Sequence, residues 1–289
     1  PAVMSFDLGR IELGRDKSLD NIPFDKIRLE IQNQYYRGGM STISWHLDNP
    51  VTGGDSWDIS DTTVVTSVLQ GGVNHEIFIQ WLDIVAEFMH SLQTEDGTKI
   101  PILFRPWHEH TGSWFWWGQK LCSTEEYKAL WRLTYDRLCE KGVNNLLYAY
   151  SPGTEPKTQE EYLERYPGDD IIDLIGFDCY QGEEEKYIND MRKSLQLITE
   201  IAQQHDKAMA ITETGYETIP DPVWWTNVLL PLLKEYPVSY VVVWRNAYER
   251  ENHYYAPYPG HLSADNFVEF YNDPHTLFAA DMKAINESK

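Results

Sequence analysis

Cysteine is scarce in this sequence, with Cys122, Cys139 and Cys179 the only three in 289 residues. An odd set without metal-ligand spacing excludes a zinc-built module or a disulfide-stapled fold. One bridge at most is possible; Cys122 and Cys139 are the nearer pair, but a bond between them is not expected. Cations are scarce too: 24 Lys and Arg stand against 45 Asp and Glu, a formal charge of −21. That balance argues against nucleic acid or an anionic membrane as partner and leaves neutral or cationic ligands open. No run approaches the roughly 18 uninterrupted apolar residues of a membrane span. Internal repeats and low-complexity linkers are missing. So is the glycine-rich phosphate turn of a dinucleotide fold, because Gly9 to Gly14 after the first apolar run reads GRIELG. The chain opens at Pro1 straight into an apolar strand, so any secretion or lipidation signal would lie upstream.

What is present is a sizeable apolar fraction, 42%, and many rings: 11 Trp, 18 Tyr and 10 Phe. Such a surplus supplies stacking surfaces as well as core. Apolar runs alternate with capped amphipathic stretches. The strand-like runs are Ala2–Leu8, Met40–His46, Ile100–Glu109, Asn145–Tyr150, Ile171–Tyr180, Ala208–Glu213 and Ser239–Trp244. Helices are expected over Phe24–Arg37, from Asn74 to about Leu92, from the Ser123/Glu126 capping box to about Lys141, after Thr158, over Glu185–His205, over Pro222–Tyr236 with a bend at Pro231, and from Asp273 onward. Continuous rather than alternating apolar strands imply a parallel sheet buried on both faces. The polar residues His46, Glu109, Asp178, Tyr180, Glu213, Trp244 and Arg245 all lie at carboxyl ends of strands. Those ends converge in a (β/α)8 TIM barrel but spread along an open sheet, so the barrel is favoured. Seven strands are visible where eight are needed. Either Thr62–Leu69 supplies another strand, or the first β/α unit is missing from the chain; the second is preferred. Residues 1–289 then form a single catalytic barrel domain, incomplete at its amino end.

The stretch Arg105-Pro106-Trp107-His108-Glu109-His110-Thr111-Gly112-Ser113-Trp114-Phe115-Trp116-Trp117-Gly118 joins a buried strand to an aromatic loop through a carboxylate flanked by histidines. Its four adjacent aromatics lie too close to Gly112 and Gly118 to be a helix face, and they read as a loop wall. A second carboxylate, Glu213, ends another strand in Ile-Thr-Glu-Thr-Gly-Tyr. At roughly 35 residues per β/α unit the two glutamates are three units apart and face each other across a barrel mouth. Facing carboxylates are the equipment of glycoside hydrolysis. The duller alternatives are a core strand ending in a packed turn, with Trp114 and Trp117 as core. Metal binding by His108, Glu109 and His110 is disfavoured, because the spacing is not that of a helical H-E-x-x-H site. No metal and no cofactor are expected.

Arg105-Pro-x-His-Glu-x-x-Gly-x-Trp-Phe-Trp-Trp-Gly resembles the acid/base motif of glycoside hydrolase family 26, chiefly β-mannanases, and Thr212-Glu-Thr-Gly resembles its nucleophile strand. The likeness extends to Gly39-Met40-x-Thr42-x-Ser44-Trp45-His46, Gly176-Phe177-Asp178-x-Tyr180 and Trp244-Arg245. The resemblance implies a retaining barrel with the acid/base after the fourth strand and the nucleophile on the seventh. Here these are the third and sixth countable strands, which again points to one missing unit; the family's first strand has no counterpart. Carried over, Glu109 is the acid/base and Glu213 the nucleophile. His108 stands where the wider clan has asparagine, Tyr180 hydrogen-bonds the nucleophile, and Trp244 is the floor under the sugar. His46, Asp178, Arg245, Trp114 and Trp117 line neighbouring subsites. The implied activity is cleavage of β-1,4-mannosidic linkages in mannan or galactomannan. The alternatives are a β-1,3-1,4-glucanase or β-1,3-xylanase of the same family, and a barrel that binds glycan without cleaving it. A polymer too large to enter a cell implies an extracellular, cell-surface or periplasmic location, and a cleft of this kind works as a monomer.

Overall fold

The computed structural model describes residues 1–288. Seven strands, β1 (Val3–Asp7), β2 (Met40–Ser44), β3 (Ile102–Arg105), β4 (Leu146–Tyr150), β5 (Leu174–Gln181), β6 (Ala208–Tyr216) and β7 (Val241–Val243), form one sheet in chain order. Every pair is parallel. Between them run α1 (Phe24–Tyr36), α2 (Val64–Val68), α3 (His75–Ser91), α4 (Thr124–Glu140), α5 (Gln159–Leu163), α6 (Glu184–His205) and α7 (Leu230–Glu235), followed by α8 (Ala264–Tyr271) and α9 (Ala279–Glu287). The expected α/β barrel is the fold found, one strand short of closure.

Alternation along each strand sorts the core into two layers. Outward residues such as Ile43, Phe104, Tyr148, Phe177 and Ile211 pack with the helices. Inward residues Leu103, Ala149, Leu174, Ala210, Tyr240 and Val242 fill the barrel itself. Above that apolar plug, the inward positions nearest the carboxyl ends are polar: Asp7, Ser44, Arg105, Ser151, Asp178 and Glu213. Thr62–Leu69 does not supply the eighth strand, because Val64–Val68 is a helix with its valines buried. Instead β1 pairs only with β2 and β7 only with β6. The opening between them leads into a cavity of about 1200 Å³ lined by Val3, Met40, Leu229, Val241, Val243 and Phe270 among others, which fits a barrel lacking one β/α unit.

Helix ends follow the side chains that cap them. Ser123 accepts from the Glu126 N–H and the Glu126 side chain returns to Ser123, closing the capping box of α4. The helix expected to bend at Pro231 passes through a π-turn, Trp225–Leu229, that ends two residues before the proline, and the wider turn accommodates the missing N–H. Asp273 does not start the last helix. Its side chain and carbonyl accept from the His275 and Thr276 N–H groups in a single turn, and α9 begins only at Ala279. All three cysteines are free thiols.

One irregularity shapes the barrel mouth. Phe177 pairs with Ile211, but the next residue, Asp178, pairs with Glu213, so Thr212 is an extra residue in β6. Regular alternation would send Glu213 outward with Ile211. The bulge reverses the parity and turns Glu213 inward beside Asp178. Gly176 sits under this bulge: a Cβ there would lie 2.7 Å from Thr212 Cγ2 and 2.8 Å from the Ala210 carbonyl oxygen. Gly176→Ala is therefore expected to cost about 1–3 kcal/mol of stability through overpacking, read by urea unfolding. An unchanged midpoint would show that the bulge yields freely.

Candidate active site

Arg105, at the end of β3 and only 1% exposed, organises the mouth. Its guanidinium donates to Ser151 Oγ at 3.0 Å, to Asp178 Oδ2 at 2.8 Å and to Glu213 Oε1. Thr212, the bulge residue, donates its hydroxyl to Asp178 Oδ1 at 2.5 Å. Tyr180 donates to the other oxygen of Glu213 at 2.5 Å. Both oxygens of the Glu213 carboxylate are thus held, one by Tyr180 from the adjacent β5 and one by Arg105 from β3. From the next loop Tyr255 packs against the Tyr180 ring at 5.6 Å, and against Gly215, where a Cβ would lie 2.4 Å from that tyrosine.

Glu109 arrives on a strained loop. Trp107 and Glu109 have φ of 57° and 53°, a region that side chains rarely adopt. Every backbone carbonyl of the turn is satisfied. Trp107 O accepts from the Tyr127 hydroxyl at 2.6 Å and His108 O from the Trp117 indole at 2.9 Å. Glu109 O accepts from Gly112 N at 3.1 Å, and His110 O from Gln119 N at 2.7 Å. These bonds compensate the conformation and aim the carboxyl at the mouth. Carboxylate oxygens of Glu109, Asp178 and Glu213 lie within 4.8 Å of one another. Loss of water, reinforced by the Asp178 and Glu213 charges, pushes Glu109 well above the usual carboxylate range. Burial likewise raises Asp178 to about 7, against the pull of Arg105. Three carboxylates so close invite a cation, but the position between Asp178 and Glu213 is taken by the Arg105 guanidinium, which supplies that charge.

The remaining predicted residues divide. His46 stacks under Trp57 with ring centroids 5.2 Å apart, donates or accepts at His108 Nε2 across 3.1 Å, and meets Asp7 Oδ2 at 2.6 Å. Burial opposes charge on His46, but the Asp7 carboxylate outweighs it and raises its pKa. His108 is buried, and burial with the nearby Arg105 charge keeps it neutral; its Nδ1 has no partner among the described residues. Trp114 and Tyr180 reach solvent, and Trp244 and Arg245 are half-buried at the rim. Arg245 pairs with Asp20 and Glu249, both at 2.6 Å. Trp117 is fully buried, holding His108, and Asp178 lies beside Glu213 with a side chain only 1% exposed, so neither forms an open wall. Sequence reasoning missed Asp7, Trp57 and Thr212. Asp7 carries the same signal as the others, a polar residue ending an apolar strand; the bulge at Thr212 leaves none.

A parallel barrel presenting two opposed carboxylates in an aromatic-lined mouth is the arrangement of a glycoside hydrolase. The family model for "Glycosyl hydrolase family 26" matches residues 1–278, and the chain belongs to that family. Among solved structures it is similar to a GH26 β-mannanase from Bacteroides ovatus, 60% identical with a TM-score of 0.97, over 97% of this chain and 82% of that one. It also resembles a modular endo-β-1,4-mannanase from Cellulomonas fimi, 36% identical with a TM-score of 0.86, over 97% and 65% of the two chains. A mannan endo-1,4-β-mannosidase of Bifidobacterium adolescentis is 38% identical over 227 residues, 74% of this chain and 22% of the relative. The curated relatives are longer proteins, of which the chain spans from 22% to 59%.

Replacing Arg105 by Met leaves Asp178 and Glu213 buried without their cation, an expected loss of about 3–5 kcal/mol near neutral pH. The folded pKa of Asp178, already raised by burial, then rises further above its unfolded value, because the pull of Arg105 is gone. A group shifted in that direction contributes stability at low pH that is lost as pH rises through the folded value. The deficit of Arg105→Met should therefore be smaller at pH 5 than at pH 8 in denaturant unfolding. Equal deficits would show that the guanidinium does not balance these charges.

Proposed function

We propose that this protein is a retaining endo-acting β-glycanase that cleaves β-1,4-mannosidic linkages in mannan and galactomannan by double displacement. The observation that carries the reading is the close approach of Glu109 and Glu213: carboxylate oxygens within 4.8 Å fall short of the roughly 6.5–9.5 Å that lets an inverting pair hold both sugar and water, and suit direct attack. Glu213, with Arg105 and Tyr180 on its two oxygens, is the nucleophile. Its oxygen bonds to the anomeric carbon while the glycosidic C–O bond breaks and Glu109 gives its proton to the departing oxygen. Glu109, now a carboxylate, takes a proton from water as that water attacks the anomeric carbon and releases Glu213. The raised pKa of Glu109 suits an acid that must arrive protonated near neutral pH.

Trp244 serves as the floor under the sugar, with Trp114, His46 and Arg245 around it. His108, Trp117 and Asp178 act from below, through the groups they hold. The mannan reading is supported by the names of the relatives at 60% and 38% identity. A polymeric substrate sets the work outside the cytoplasm, extracellular, on the cell surface or periplasmic, and a single chain suffices for it.

Reducing-sugar release on mannan, galactomannan, mixed-linkage β-glucan and β-1,3-xylan tests the substrate: mannans should be cleaved best. Preference for another glycan would move the assignment within the family, and no release from any would leave a glycan-binding barrel. Glu213→Ala is expected to lose more than about a thousandfold in kcat while still binding manno-oligosaccharide. Rates near wild type would remove Glu213 from the reaction.

A further inference from the structure

Trp114 differs from the aromatics that follow it. Phe115, Trp116 and Trp117 are at most 2% exposed, whereas Trp114 is 39% exposed. Its indole N–H nevertheless points inward and donates to Glu109 Oε2 at 2.8 Å. The ring is seated on Gly112, where an added Cβ would fall 1.9–2.3 Å from three ring atoms. Gly112 in turn donates its N–H to the Glu109 carbonyl at 3.1 Å. Glu109, Gly112 and Trp114 therefore close on one another: the glutamate backbone fixes the glycine, the glycine seats the ring, and the ring returns a hydrogen bond to the carboxyl. Left-handed φ values at Glu109 (53°) and Ser113 (59°) are the bends that allow it. The loop is anchored separately by Thr111, which accepts from Gly153 N at 2.9 Å and donates to Glu155 at 2.6 Å.

We propose that Trp114 is a positioning residue for Glu109, its indole N–H selecting the carboxyl's orientation and supporting the carboxylate formed when the proton leaves for the glycosidic oxygen. This rests on Glu109 being the acid/base. The charged or titratable groups facing Glu109 are Asp178 and Tyr180 from β5, Glu213 from β6 and Arg105 from β3. The two carboxylates disfavour its ionisation; Arg105 and the indole favour it. In the first step the indole N–H meets a growing negative charge. In the second the charge disappears as Glu109 takes the proton from water, and the bond weakens. Without the N–H, Glu109 holds its proton to higher pH and its carboxyl is free to turn.

Two variants remove the bond by different routes. Trp114→Phe keeps a ring but no donor; Gly112→Ala leaves both Glu109 and Trp114 intact and pushes the indole away. Both are expected to move the alkaline limb of the kcat/KM profile on manno-oligosaccharide upward by about one pH unit. kcat at the optimum should fall about tenfold. A 13C titration of the Glu109 carboxyl by NMR, which needs no turnover, should show the same upward shift. An unmoved limb and an unmoved carboxyl titration, with only KM raised, would make Trp114 a wall and overturn the proposal. Absence of turnover in the unmodified protein would instead remove the acid/base assignment, while the NMR titration would still report whether the indole acts on Glu109.

Discussion

The contact on which the rest of this mouth depends is the Arg105 guanidinium set among carboxylates. Asp178 and Glu213 are nearly sealed from water, where two such anions side by side lose their hydration and repel each other. One buried cation, oriented by Ser151 and fixed at the end of β3, keeps them together and leaves Glu213 presented with defined geometry. The cation acts only because β6 carries an extra residue at Thr212; without that bulge Glu213 would face the helices. A backbone irregularity and a charge arrangement are thus parts of the same device.

Around that centre the two glutamates are treated differently. Glu213 has a donor on each oxygen, Arg105 from β3 and Tyr180 from β5, which fixes the carboxylate in one orientation. Glu109 sits on a loop held by carbonyl caps from Tyr127, Trp117, Gly112 and Gln119, half-buried and crowded by two other carboxylates, as suits a group that keeps a proton and then gives it away. The aromatics of the loop serve both ends: Trp116 and Trp117 are its foundation, while Trp114 faces the cleft.

Much of this was legible in the sequence, for physical reasons. Continuous apolar strands separated by capped helices specify a parallel barrel, and polar residues at the strand ends identify its mouth, so Glu109, Asp178, Tyr180 and Glu213 are picked out from the sequence, whereas Arg105 is only part of a motif. Depth was not legible. Trp114 and Trp117 look alike in sequence, and only packing shows that one is at the surface and the other in the core. The bulge at Thr212 is a matter of register, set by the neighbouring strand rather than by local composition. No helix is expected between Trp244 and Asp273, where α8 lies, and Asp273 with Pro274 imitates a helix start although the chain makes only a single turn there.

The most direct test of the central claim is to look for the bond between Glu213 and a sugar. An activated 2-deoxy-2-fluoro-β-mannoside slows both displacement steps and lets the intermediate accumulate. Mass spectrometry of the digested protein should then find one fluoromannosyl group per chain, on the peptide containing Glu213. No adduct in protein that still turns over mannan, or an adduct on Glu109 instead, would contradict the account.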